Sequence, residues 1–211
     1  AEWAVNEKVA FEIAYTASMT GLRAAVSMKQ VGLNVASDPL MSAAYSGVKG
    51  GFLVVSADDP GPHSSQTEQD SRLMAMAAKV PVLDPDSPAH ARELVALGYE
   101  LSEKYEIPVM LRPTTRVCHA CQDILPGEVL PVSAEADFEK SSSRWAATPV
   151  FRNLLHRDLT AKLAAIAGWA PTAPVRRNPD ASGSRAVVAS GVAAAHAREV
   201  LEGMGLWGRV P

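Results

Sequence analysis

Glu7 lies in the run Trp3-Ala4-Val5-Asn6-Glu7-Lys8-Val9-Ala10, where a short extended segment hands over to a helix rich in small residues. A carboxyl group among Trp3, Val5, Val9, Ala10 and Phe11 would have its pKa raised and could hold a transferable proton near neutral pH. The plainer alternative is a first-turn glutamate that favours the helix dipole, with Asn6 as cap. Residues 29–34 follow an apolar run and place Gly32 tightly between Lys29 and Asn34. Residues 58–66 form a polar, turn-rich segment containing His63, whose imidazole titrates near neutrality; the same ring could equally hydrogen-bond its own loop. Arg112 and Arg116 flank Pro113-Thr114-Thr115. They suit a carboxylate or phosphate, or else ion pairs between domains. Cys118 and Cys121 form a C-H-A-C pair, half the ligands of a zinc site or four-iron cluster and equally a reduced thiol pair in a loop.

Strands must position these groups. Residues 6–20 read as a helix with Val9, Ile13, Ala17 and Thr20 on one face, ended by Gly21. Residues 24–28 read as a short buried strand, and residues 29–34 as a loop after it. A helix over 38–46 is expected from Asp38 as cap with Pro39 in the first turn. Residues 52–56 are the clearest buried strand, followed by a turn at Asp58-Asp59-Pro60-Gly61. Ser65 and Glu68 have capping-box spacing before a helix carrying Leu73, Met74 and Ala77. A brief strand at 82–83, a helix from Ser87-Pro88 with a stripe of Leu94, Leu97, Leu101 and Tyr105, and a strand at 107–111 complete the alternation. Strands alternating with helices predict an α/β domain with an open, largely parallel sheet flanked by helices. In such sheets ligands gather beyond the carboxyl ends of strands. Glu7, residues 29–34, residues 58–66 and residues 112–116 would form one rim there.

Residues 126–184 read as a connector holding a short helix over 150–167 and a proline-rich linker over 171–184. Residues 185–191 and 192–204 read as one strand–turn–helix unit. The expected division is therefore 1–125 for the first domain, 126–184 for the connector and 185–211 for the start of a second α/β domain. The first residue is not methionine and a strand-like segment begins at once, which suggests an N-terminal truncation.

Four stretches lie in order between residues 3 and 119: WAVNEKVAFEIA, MKQVGLNVASDPLMSAAYSGVKGG, SADDPGPHSSQTEQDSRLMA and YEIPVMLRPTTRVCH. They resemble the large subunit of the indolepyruvate:ferredoxin oxidoreductases, thiamine-diphosphate enzymes of the pyruvate:ferredoxin oxidoreductase superfamily. The resemblance becomes compositional after about residue 125. It implies the pyrimidine-binding domain of that subunit, with 185–211 opening a transketolase C-terminal-like domain. It also implies that Glu7 sets its carboxyl against N1′ of the cofactor's aminopyrimidine and supplies the proton that activates the ring. Lys29, Gly32, Asn34 and His63 would stand at the cofactor pocket. The Mg²⁺-dependent diphosphate side, carried by a G-D-G motif, has no counterpart in this sequence. The family's [4Fe-4S] cysteines and its G-Y-P-G-T-P loop are likewise not matched here. The resemblance further implies an aryl 2-oxoacid and coenzyme A as substrates, ferredoxin as acceptor, a second (beta) subunit and a dimer of large subunits. Alone, the chain is expected to be inactive. The same superfamily acting on pyruvate or another 2-oxoacid is a second reading. A non-catalytic dimerisation or assembly domain is a third, favoured if Glu7 points into solvent.

Composition limits the alternatives. A formal charge of −3 argues against a nucleic-acid footprint, which would appear as a basic stripe. No apolar run approaches the ~20 residues that span a bilayer, and no signal peptide is visible, so a cytoplasmic protein is expected. A flavodoxin-like nucleotide fold would need a glycine-rich loop after the first strand, which is not seen.

Overall fold

Asn6 opens the first helix as its sequence position implies: its side chain accepts the N–H of Val9 at 3.0 Å, satisfying a free first-turn donor. The computed structural model describes residues 1–127, 135–172 and 183–211. Helix α1 (Glu7–Met19) leads into strand β1 (Ala24–Lys29), followed by helices α2 (Gln30–Val35) and α3 (Ser37–Ser46). Strand β2 (Phe52–Ala57), helix α4 (Ser71–Ala78), strand β3 (Val82–Leu83), helix α5 (Pro88–Tyr105) and strand β4 (Val109–Leu111) complete the sheet-forming part. Short helices α6 (Thr115–His119) and α7 (Ser142–Trp145) follow, then α8 (Arg152–Ala167) and α9 (Val192–Gly203).

The four strands form one parallel sheet in the order β1-β2-β4-β3. Val26 pairs with Val54, Val54 with Met110, and Met110 with Val82. β2 and β4 are central and buried on both faces, hence their continuous apolar runs. β1 was expected to be fully buried. It is an edge strand that alternates buried and exposed residues, because only β2 pairs with it.

Phe11 decides which face of α1 enters the core. It is fully buried and meets Phe52 edge-on at 5.1 Å, with Ala10, Ala14 and Tyr15 packed beside it. Burying an aromatic outweighs burying Val9 or Ile13. The face of Val9, Ile13, Ala17 and Thr20 lines an open groove, with Ile13 53% exposed and the other three half-buried. Residues 29–34, expected as a loop, form most of α2, anchored by buried Gln30 and Leu33. Asp38 does not cap α3. It lies within the first turn and pairs with Lys8 at 3.1 Å, a surface contact worth little. The capping box at Ser65 is not used either, because Asp70 caps α4 instead.

Helix α8 joins the same core through Leu159 and Ile166. Residues 185–190 pair with no strand among the described residues, and Val188 is fully exposed. A β-run without a neighbouring ladder has nothing to pair with. Most of the 171–184 linker lies outside the described residues.

Candidate functional site

The carboxyl ends of the four strands carry polar residues where the buried apolar runs stop. β1 ends at Lys29, β2 runs into Asp58 and Asp59, β3 into Asp84, and β4 into Arg112 and Thr114. A bridge between Asp58 and Thr114 continues the β2–β4 pairing past the strands. The backbone therefore delivers all four segments to one edge of the sheet.

Glu7 begins α1 at this edge and lies half-buried against α2. A Cβ added at Gly32 would fall 2.6 Å from Glu7 Cγ and 2.8 Å from its Oε1. A side chain at position 32 would displace the Glu7 carboxyl. The Gly32 backbone is ordinary, so the missing side chain is what lets the carboxylate lie down on α2. Trp3 and Val5, expected to wall the carboxyl group, are 102% and 88% exposed. Neither residue therefore walls the carboxyl group. Two residues before Gly32, Gln30 is buried; its Nε2 donates to the Thr67 carbonyl at 3.2 Å, while its Oε1 has no partner among the described residues.

Charged groups fix the rest of the edge. Asp58, 1% exposed, accepts from Arg112 Nε at 2.7 Å, from the Ser71 N–H at 2.9 Å, and from the Ser71 hydroxyl. Arg112 Nη1 reaches Asp84 at 3.5 Å, and Arg72 bridges Asp70 and Asp84 at 2.7 and 3.2 Å. Arg112 was expected to bind a ligand or to pair between domains; it pairs inside the sheet domain.

Asp59 organises the following loop. Its Oδ2 accepts the N–H groups of His63, Ser64 and Ser65 at 3.0, 3.0 and 3.1 Å, and its Oδ1 accepts the Thr115 hydroxyl at 2.9 Å. These donors, the N–H of Ser64 first, hold its carboxyl well below the ordinary 3.8. A lowered folded-state pKa stabilises fully above the ordinary value, and that contribution is lost as pH falls through the lowered one. Asp59→Asn is therefore expected to flatten the acid limb of thermal stability, which melting curves across the acid range would check.

The sequence-derived residues separate into three positions. Glu7 and Gly32 touch. Lys29, exposed at the end of β1, reaches Gln66 Oε1 at 3.4 Å and so ties α2 to the 58–66 loop. His63 is exposed on that loop beside Arg72 and Arg112. Asn34 is exposed on α2, and its carbonyl accepts the Ser37 hydroxyl at 2.8 Å. No hydrogen bond or ion pair joins Glu7 to Lys29, Asn34 or His63 among the described residues. Cys118 and Cys121 are both exposed and unpaired near the end of α6. Gln30 and Asp84 were not singled out from the sequence, and Asp59 and Thr114 were read only as members of the 58–66 and 112–116 rim segments.

No family model matches the chain. It is 41% identical over 207 residues to the indolepyruvate oxidoreductase subunit IorA of Methanothermobacter marburgensis, covering 97% of this chain and 34% of that protein. It is 47% identical over 161 residues to the subunit of the same name from Pyrococcus abyssi, covering 74% and 25% respectively. The chain thus spans about a third of the length of the first of these curated relatives. Among solved structures it is similar to the 2-oxoglutarate:ferredoxin oxidoreductase of Magnetococcus marinus with 2-oxoglutarate, coenzyme A and succinyl-CoA bound. The TM-score is 0.67 at 16% identity, over 96% of this chain and 43% of that one. That likeness shows a shared α/β fold. No helix among the described residues is long and apolar enough to cross a membrane. Identity of this level along nearly the whole chain, on that fold, places the chain in the indolepyruvate oxidoreductase IorA subunit family.

Proposed function

We propose that this chain supplies the aminopyrimidine side of a thiamine-diphosphate site in a 2-oxoacid:ferredoxin oxidoreductase. The observation that carries the reading is the Glu7 carboxyl lying on Gly32 at the ligand edge of a parallel sheet. Three features fit the aminopyrimidine end of that cofactor: a carboxyl group at a helix start, a backbone kept bare beside it at Gly32, and a buried, unpartnered acceptor at Gln30 on the same helix. When bound, thiamine diphosphate supplies a nucleophilic carbon and an electron sink for decarboxylation. Glu7 would hold and move a proton at the aminopyrimidine nitrogen N1′. Gln30 and Lys29 keep the 58–66 loop against α2 through Thr67 and Gln66.

In this reading residues 1–125 form the pyrimidine-side domain, 126–184 the connector, and 185–211 the start of the following domain. The Mg²⁺-held diphosphate side, the [4Fe-4S] clusters and the open wall near Trp3 come from elsewhere in the assembled enzyme. That enzyme, with its beta subunit and as a dimer, would convert an aryl 2-oxoacid and coenzyme A to acyl-CoA and CO2, passing electrons to ferredoxin. The relatives' names favour indolepyruvate over pyruvate or another 2-oxoacid.

Gly32→Ala tests the reading without touching a titratable group. The added Cβ forces the Glu7 carboxyl out of its place. A displacement of that size is expected to lower kcat about 100-fold. Glycine-to-alanine in a helix favours folding by up to ~1 kcal/mol, which offsets the crowding, so the melting temperature should change little. Wild-type kcat in the folded variant would remove the reading.

A further inference from the structure

We propose that the cavity between the strand ends and the first turn of α9 is an oxyanion site, taking a phosphate- or carboxylate-bearing ligand. The cavity has a volume of about 290 Å³, and its titratable lining residues are His63, Arg72, Arg112, Arg116 and His196. All five are basic, in a chain whose formal charge is −3. Asp58, Asp70 and Asp84 stand behind the lining and orient Arg72 and Arg112, taking up much of their charge. Arg116 is different. It is exposed, and no hydrogen bond or ion pair engages it among the described residues. A guanidinium in that state presents its full fork of donors to an oxyanion.

Two further observations point the same way. Val192 and Ala193 line the cavity from the first turn of α9, a helix of 12 residues. Its N-cap, Gly191, provides no side-chain acceptor, and the first turn contains no acidic residue. The first-turn N–H groups and the positive end of the helix are thus left for an external anion. Gly191 seats the helix start closely, since a Cβ there would fall 2.6 Å from Asp84 Oδ1, and its φ is 54°. Ser190 just before it donates to Asp84 Oδ2 at 3.3 Å. Independently, Thr114 lines the cavity from the β4 side at 4% exposure, and its hydroxyl has no hydrogen-bond partner among the described residues. A buried hydroxyl in that position is a donor in need of an acceptor. The site lies apart from Glu7 and does not depend on the cofactor reading.

The test is an NMR titration of the ¹⁵N-labelled chain with pyrophosphate and, separately, with acetate. Saturable shifts of the Val192 and Ala193 amides are expected. Pyrophosphate acting alone assigns a phosphate-bearing ligand, and acetate acting alone a carboxylate. Arg116→Gln should weaken binding about tenfold, the scale of one hydrogen bond to a charged group. His196→Asn, on an exposed helix face, should weaken it by a smaller factor with the fold unchanged. Absence of saturable shifts with both anions, or wild-type affinity in Arg116→Gln, overturns the site.

Discussion

Glu7→Gln in the assembled enzyme is expected to lower oxidative decarboxylation by roughly 10²–10⁴-fold, the range of a positioned acid or base. Glutamine has nearly the same shape and keeps the packing on Gly32, but it cannot give or take the proton. Asn6 still caps α1 through Val9, so the helix start survives. The substitution removes one favourable charge–dipole contact at the helix N-terminus, worth ~0.3–1 kcal/mol at a partly exposed site. Fold and cluster content should therefore be unchanged, and the loss should fall on kcat rather than on KM. Near-normal turnover in this variant would leave the chain an assembly domain. Half-burial of Glu7 against α2 already sets it apart from a carboxylate free in solvent.

Arg112→Ala should be the most damaging single change to stability. It strands Asp58, 1% exposed, which otherwise receives the guanidinium at 2.7 Å. Breaking a buried ion pair from one side costs about 3–5 kcal/mol, because the remaining charge has no compensation. The Ser71 donors to Asp58 soften that loss without removing it. Changing both partners, Asp58→Asn with Arg112→Met, should recover much of the stability, since no buried charge is then left alone. Denaturant melts of the wild type, the single and the double variant form the cycle that checks this. Equal losses in the single and the double variant would contradict the buried-pair account.

How far the residues themselves disclosed this arrangement can be traced element by element. Asn6, Ser87-Pro88 and the run at 52–56 carry strong local signals, and α1, α5 and β2 form where those signals place them. The signals were weaker where tertiary contacts compete. Val9 and Ile13 match the helical period as well as Phe11 does, but only Phe11 finds Phe52 across the sheet. The Ser65 capping box is plausible by spacing. It yields because α4 starts later, at Ser71, with Asp70 as its cap. Residues 29–34 look loop-like after a strand, yet buried Gln30 and Leu33 wind them into α2.

The candidate site was legible in part for the same reason. Glu7 and Gly32 were placed on one rim from the sequence, and folding brings them into contact although they lie 25 positions apart along the chain. His63 was grouped with them from its loop, yet the Asp59 turn carries its side chain toward Arg72 and Arg112 instead. The buried pair of Asp58 and Arg112 could not be read at all. Neither residue is unusual locally, and only the parallel pairing of β2 with β4 brings them together.

Exchange of the thiazolium C2 proton in the assembled, cofactor-loaded enzyme tests the role of Glu7 most directly, because it reports the activating proton transfer before any substrate chemistry. Compared at equal cofactor occupancy, wild-type enzyme should exchange rapidly and Glu7→Gln roughly 10²–10⁴-fold more slowly. Equal exchange rates in the two proteins would contradict the assignment of Glu7 as the activating acid.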